Sequence, residues 1–151
     1  MLKALSAFFD RSAGSSGSGE AASREQELQL ATAVLLIEVA RADFSEDDVE
    51  IEAVAELLSE HLGVSRHDIS SLVDEAKRQA DHSASLQSFT RQLHEELSLE
   101  EKRSIIEMLW RVALADSTLD KHEDHLIRKV AGLLYISHGD LIRIRNSVTS
   151  S

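Results

Sequence analysis

The chain lacks cysteine and proline altogether and has only six glycines among its 151 residues. Without cysteine it has no disulfide framework, no thiolate zinc site and no cysteine nucleophile. The absence of proline, together with so few glycines, removes most of the turn-forming residues that an all-β chain needs. The length suits one domain with a buried core. We therefore expect an all-α fold, a single bundle of about seven helices.

Long apolar runs are also missing. The longest, Ala31–Ile37, is far shorter than the ~20 residues of a membrane-spanning helix, so we expect no integral membrane span. The apolar stretch Met1–Phe9 is ended by Asp10 and Arg11 before it reaches the length of a secretory signal. A cytoplasmic location is therefore predicted.

Basic residues are in short supply, with 16 Lys and Arg against 27 Asp and Glu, which gives a formal net charge of −11. All of the excess lies in residues 1–97, which hold 19 acidic and 8 basic residues. Such a charge repels nucleic acid and anionic membranes and attracts cations or basic proteins. We therefore expect no nucleic-acid binding, and instead a protein partner or a cation.

Three segments differ in composition. Residues 1–10 are predicted to form a short amphipathic helix, because their apolar side chains fall at helical spacing: Leu2, Leu5, Phe8 and Phe9. Residues 11–23 are rich in Ser and Gly, a composition typical of a flexible linker. Residues 24–148 contain the remaining periodic apolar pattern and are predicted to form the helical domain. Within it, the capping box Ser98-x-x-Glu101 predicts a helix that begins at Leu99, and a later helix is predicted over residues 121–135.

The helical domain contains an internal repeat. A shift of 73 residues places Ala42-Asp43 over Ala115-Asp116 and Glu50 over Glu123. Apolar matches at helical spacing arise easily by chance, but matched acidic residues at fixed places do not. We infer two copies, about residues 25–80 and about residues 98–148, packed as pseudo-symmetric halves with their most apolar helices at the centre.

Glu38 in the central helix of the first copy and Arg111 in that of the second occupy equivalent positions of the repeat. A charge buried alone is very costly. We therefore expect Glu38 and Arg111 to form an ion pair or to reach the surface by their stems.

Both copies contain an acidic turn in which oxygen-bearing side chains follow the same order. The two series are Asp43, Ser45, Asp47 and Glu50, and Asp116, Thr118, Asp120 and Glu123. Carboxylate and hydroxyl oxygens are the ligands that Ca²⁺ and Mg²⁺ prefer. The sequence therefore predicts a divalent-cation site whose ligands are Asp43, Asp47, Glu50, Asp116, Asp120 and Glu123.

Part of this pattern has a second explanation. Asp47-x-x-Glu50 and Asp120-x-x-Glu123 also match the capping box, in which each cap contributes about 1 kcal/mol without any metal. Asp43 and Asp116 differ, because each follows the end of a predicted helix, where the macrodipole disfavours a carboxylate by a few tenths of a kcal/mol. A cation, a basic side chain or the next helix N-terminus would offset that penalty.

These turns resemble those of the TerB-like family of tellurite-resistance proteins, whose hallmark is Ala-Asp-Gly followed by a Glu. The resemblance covers about residues 25–146 and departs from the hallmark at the Gly, which is Phe44 in one turn and Ser117 in the other. It implies an internally duplicated helical fold with an acidic metal-binding centre at Asp43, Glu50, Asp116 and Glu123. It also implies a link to bacterial resistance to tellurite and other stresses, through membrane-linked complexes.

The chain contains no Gly-rich phosphate loop, nucleophile elbow or identifiable pair of catalytic carboxylates, so we expect no enzyme activity. The first hypothesis is a non-enzymatic helical module that binds Ca²⁺, Mg²⁺ or a basic partner through its acidic turns. The alternative is a metal-free protein-interaction module that uses its helical surface and its N-terminal amphipathic helix.

Overall fold

A computed structural model describes residues 19–42, 48–82, 86–115 and 119–149. These residues form seven α-helices and no strand, which confirms the all-α prediction. The helices are α1 Gly19–Ala40, α2 Asp48–His61, α3 Arg66–His82, α4 Gln87–Glu96, α5 Leu99–Ala113, α6 Lys121–Leu133 and α7 His138–Thr149. None of the helices in these ranges combines the length and the apolarity that crossing a bilayer requires.

The first helix begins earlier than the sequence pattern predicts. The predicted linker extends to residue 23, yet α1 already begins at Gly19. Residues 20–22 are Glu-Ala-Ala, strong helix formers that allow the helix to extend beyond its apolar part. The predicted helix at residues 1–10 lies outside the described residues.

Helix α5 begins at a reciprocal cap. The backbone N–H of Glu101 donates to Ser98 Oγ at 3.1 Å, and the backbone N–H of Ser98 donates to Glu101 Oε1 at 2.7 Å. Together they form the capping box that Ser98-x-x-Glu101 predicts. Because two of the first backbone N–H groups are satisfied in this way, the start of the helix is fixed immediately after Ser98.

Helices α1 and α5 lie at the centre of the bundle. Helix α1 packs against α2, α3, α4, α5 and α6, while α5 packs against α1, α2, α6 and α7. Residues 31–37 of α1 and residues 104–110 of α5 are buried without interruption, so neither segment has a solvent-facing side. The longest apolar run of the sequence therefore forms the middle of the core.

The contacts of the outer helices cross between the two predicted copies. Helix α2 packs on α5, and the matching helix α6 packs on α1. Each second helix thus contacts both central helices, that of its own copy and that of the other, an arrangement that a duplicated unit would produce. The pseudo-symmetry of the repeat itself stays a prediction.

The two central charges have local partners. Arg111 Nε lies 3.3 Å from Glu107 Oε2, one helical turn earlier in α5, and the Arg111 side chain is exposed. Glu38 is half-buried near Arg41 and Asp81. No ion pair joins Glu38 to Arg111, both of which the structure describes.

Candidate functional site

The described residues contain half of the predicted cation ligands. Asp43, Asp47 and Asp116 lie outside them, whereas Glu50, Asp120 and Glu123 lie within them. Glu50 belongs to the first turn of α2, and Glu123 to the first turn of α6. The described part of the candidate site therefore lies in the helices that follow the two acidic turns.

Asp120 and Glu123 form a capping box at the start of α6. The backbone N–H of His122 donates to Asp120 Oδ1 at 2.7 Å, and the backbone N–H of Asp120 donates to Glu123 Oε1 at 3.2 Å. The capping explanation is thus confirmed for Asp120. One carboxylate oxygen of Glu123 takes part in the same cap, which fixes the direction of its side chain.

We expect Asp120→Ala to lower the free energy of unfolding by about 1 kcal/mol, because the cap acceptor is lost. Asp120→Asn keeps an oxygen in the same place and should cost only a small part of that. Thermal unfolding followed by circular dichroism measures both. If Asn proved as damaging as Ala, the negative charge of Asp120, and not its role as a cap, would be what the fold uses.

The two matching glutamates share an unusual burial. Glu50 and Glu123 are each only 2% exposed. Glu50 Oε1 and Glu123 Oε2 are enclosed by protein. Enclosing a carboxylate is unfavourable unless hydrogen bonds or opposite charge balance it. The same acidic residue is therefore turned inward at the same place in both halves of the sequence.

One open depression is lined by residues next to both acidic turns. It has a volume of about 530 Å³. Ala42, the residue directly before Asp43, lines it from the end of α1, and His122 lines it from the start of α6. The other lining residues are Glu38, Arg41, Ala80, Asp81, His125, Leu126 and Lys129. The end of the first central helix and the start of the second acidic helix therefore meet on one side of the molecule.

The charges around this depression are mixed. Arg41 Nη2 donates to Asp81 Oδ1 at 2.7 Å, which ties the end of α1 to the end of α3. Burial raises the pKa of the Glu38 carboxyl, and the nearby Arg41 guanidinium opposes that rise. The depression thus holds one carboxyl whose charged form is disfavoured, beside an ion pair that stiffens its wall.

The sequence analysis did not predict the side chains that line this depression. Arg41 and Asp81 are 40 residues apart, and no local pattern links them. His122, His125 and Lys129 follow one another at i, i+3 and i+7 on α6, a spacing that places them on one helix face. That spacing is the signal by which the sequence could have revealed the α6 side of the depression.

The described residues alone do not form a metal centre. Across residues 19–42, 48–82, 86–115 and 119–149, no group of three or more His, Asp or Glu side chains is arranged to hold a metal ion. Glu50 and Glu123 therefore could serve as ligands only together with other residues. The aspartates that the sequence pairs with them are Asp43, Asp47 and Asp116.

Comparison with known proteins gives one match. The family described as "Tellurite resistance protein TerB" matches residues 29–146, which include all of α2 to α6 and most of α1 and α7. Neither the curated proteins nor the solved structures gave a match.

Proposed function

We propose that this chain, which belongs to the family of the tellurite resistance protein TerB, binds a divalent cation, Ca²⁺ or Mg²⁺, between its two acidic turns. The observation that carries the proposal is the shared depression, which Ala42 and His122 line from the flanks of different turns. The last described residue before the first acidic turn and a residue at the end of the second turn therefore line the same depression.

The burial of Glu50 and Glu123 supports the same proposal. A hard cation needs several oxygen ligands and is best held when some of them are fixed in advance. Glu123 is fixed by the cap of α6, and Glu50 is enclosed at the matching place in α2. In our proposal these two carboxylates, together with the aspartates of the turns, supply the oxygen ligands.

The proposed activity is binding without catalysis, in a cytoplasmic protein. An ion that bridges the two turns would connect both halves of the bundle, so binding would stabilise one arrangement of the surface around the depression. A partner that recognises this arrangement would respond to the ion. We propose that the partner is a protein, as part of a membrane-linked complex in tellurite or general stress resistance.

The test is the thermal stability of the protein in Ca²⁺ and in Mg²⁺. An ion at 100 times its dissociation constant stabilises the folded state by about 2.7 kcal/mol. For a domain of this size that is a rise in melting temperature of roughly 5–10 °C. We expect the rise in the parent chain and its loss in the Asp43→Asn plus Asp116→Asn variant.

The control variant is Glu52→Gln plus Glu56→Gln, which changes the net charge equally. Both glutamates are exposed on α2 and neither is among the six proposed ligands. We expect this control to keep the rise in melting temperature. A rise that survives in the Asp43 and Asp116 variant, or no rise in the parent at millimolar ion, would contradict the proposal.

A second candidate function rests on an acidic stripe along α2. Its members are exposed at i, i+4, i+8 and i+12: Asp48, Glu52, Glu56 and Glu60. Like charges one turn apart destabilise a helix slightly, so the stripe does not serve the stability of α2. It suits a basic protein partner. If ions stabilise the parent chain but not the Glu52 and Glu56 variant, they bind the stripe, which contradicts a cation site between the turns and supports an interaction surface on α2 instead.

A further inference from the structure

Tyr135 has a backbone conformation that tyrosine rarely adopts. Its φ angle is 60°, in the left-handed region. Helix α6 ends there in a Schellman motif: Ile136 N–H donates to Ala131 O at 2.8 Å, and Tyr135 N–H donates to Gly132 O at 3.1 Å. This motif normally takes glycine at the position that Tyr135 occupies, because a Cβ atom is strained there.

The first copy of the repeat has glycine at the matching place. Gly63, with a φ of 67°, follows α2 as Tyr135 follows α6. The chain therefore has Gly at one helix end and its only tyrosine at the other. Tyr135 is also 73% exposed, so little of its surface is buried in compensation. Strain held at an exposed aromatic residue points to a role at the surface.

Tyr135 forms one side of a groove. Its ring centroid lies 4.5 Å from that of His94 on α4. The groove runs between α4 and the end of α6 and has a volume of about 700 Å³. Its lining combines apolar and polar groups, in order along the chain: Gln87, Ser88, Thr90, Arg91, His94, Glu95, Leu133 and Tyr135.

On the α4 side of the groove, His94 is held by a contact with α5. Lys102 on α5 is buried, and its Nζ lies 2.8 Å from His94 Nδ1. Because an ammonium group can only donate, this contact is a hydrogen bond from Lys102 to His94 Nδ1. Burial lowers the pKa of Lys102. The imidazole is therefore held by α5, and its plane is tilted by 43° to the ring of Tyr135.

Polar contacts join the first half of α1 to α4, the helix that forms one side of this groove. Gln92 Nε2 donates to Glu27 Oε2 at 3.0 Å, and Arg24 Nη1 lies 3.8 Å from Glu96 Oε2. The first half of α1 thus runs alongside α4, whose other residues line the groove. Fully extended, residues 10–18 could span about 30 Å. A helix is about 10 Å wide, so that length suffices to pass around α4.

We propose that residues 1–10 of this chain dock in the groove between α4 and the end of α6 and cover Tyr135. Their apolar side chains at helical spacing, Leu2, Leu5, Phe8 and Phe9, match the exposed faces of Leu133 and Tyr135. As a helix this segment would be about 15 Å long, equal to the ten residues of α4. A short tether makes docking intramolecular, so modest contacts suffice. The proposal does not depend on cation binding.

Cross-linking tests this proposal directly, because the chain has no native cysteine. The test variant carries Ser6→Cys and Ser88→Cys, which places one thiol in the segment and one at the groove. The control carries Ser6→Cys and Ser71→Cys, with the second thiol on the exposed face of α3. With a short bismaleimide we expect intramolecular cross-linking at least about tenfold faster in the test variant.

Equal rates in the two variants would show an undocked segment and overturn the proposal. Cross-linked dimers in place of monomers would assign the groove to a second copy and overturn docking within one chain. Adding Leu5→Asp and Phe9→Asp to the test variant should reduce its rate to that of the control. An unchanged circular-dichroism melt shows that these added changes leave the fold intact.

Tyr135 supplies a second, independent measurement. As the only tyrosine, it is the only residue that tetranitromethane can convert to nitrotyrosine, and mass spectrometry follows that conversion. We expect Leu5→Asp plus Phe9→Asp to speed nitration severalfold in the otherwise unchanged chain, because the ring is uncovered. Nitration at the parent rate would contradict the docking of residues 1–10 over Tyr135.

Discussion

Ala33→Glu is expected to abolish cooperative unfolding. Ala33 lies in the middle of α1 with no exposed surface, and the residues from Ala31 to Ile37 are all buried. A carboxylate placed there is surrounded by packed apolar side chains, and the penalty for a buried unpaired charge is at least several kcal/mol. Since most domains are stable by only about 5–15 kcal/mol, one such charge can remove most of that stability.

Far-UV circular dichroism during heating measures this effect. Gln26→Glu is the matched control, because it changes the charge equally at an exposed position of the same helix. We expect the control to unfold within about 2 °C of the parent chain, as surface substitutions usually do. A cooperative transition in Ala33→Glu close to that of the control would show that α1 is not enclosed on this side.

Local sequence signals predicted the helices well. Ser98-x-x-Glu101 predicted the start of α5, and the unbroken apolar run Ala31–Ile37 predicted the middle of the core. Both are signals that a few neighbouring residues supply, because caps and helical periodicity act within one or two turns. The end of α6 was less predictable. The apolar pattern carries the helix to Tyr135, whereas the structure ends it at Leu133 and places Tyr135 in the left-handed region.

Charge pairing was predictable only where the partners are close in sequence. Arg111 pairs with Glu107 one turn away in the same helix, so the pair forms without bringing distant parts of the chain together. The repeat suggested a partner on the other central helix, Glu38, but sequence symmetry does not indicate how far a long side chain can turn towards a nearer partner. Arg41 and Asp81 show the same limit, since only the packing of α3 on α1 brings them together.

In the candidate site, too, local features were predictable from the sequence and features that depend on packing were not. The spacing of Asp120 and Glu123 predicted their cap, which is a local feature. The burial of Glu50 and Glu123 was not predictable from residue type, because glutamate is usually exposed. Their burial depends on how α2 and α6 lie against the two central helices, which only the packed bundle determines. The repeat places Glu50 and Glu123 at matching positions, and the structure buries both.

Trp110→Ala is expected to lower the free energy of unfolding by about 3–5 kcal/mol. Trp110 is the largest fully buried side chain, on the central helix α5. The guanidinium carbon of Arg145 lies 6.0 Å from the ring centroid, and that contact is lost as well. Urea unfolding followed by circular dichroism gives the difference, since the substitution removes the only tryptophan and with it the fluorescence signal.

Trp110→Phe separates packing from hydrogen bonding at the same place. Among the described residues, Trp110 Nε1 is buried and has no hydrogen-bond acceptor. Phenylalanine therefore removes part of the ring volume without breaking a hydrogen bond, and we expect a loss of only about 1–2 kcal/mol. If Phe destabilised the protein as much as Ala, the indole N–H would have a partner in solution. The core would then contain a polar contact, and α5 would be held by more than apolar packing.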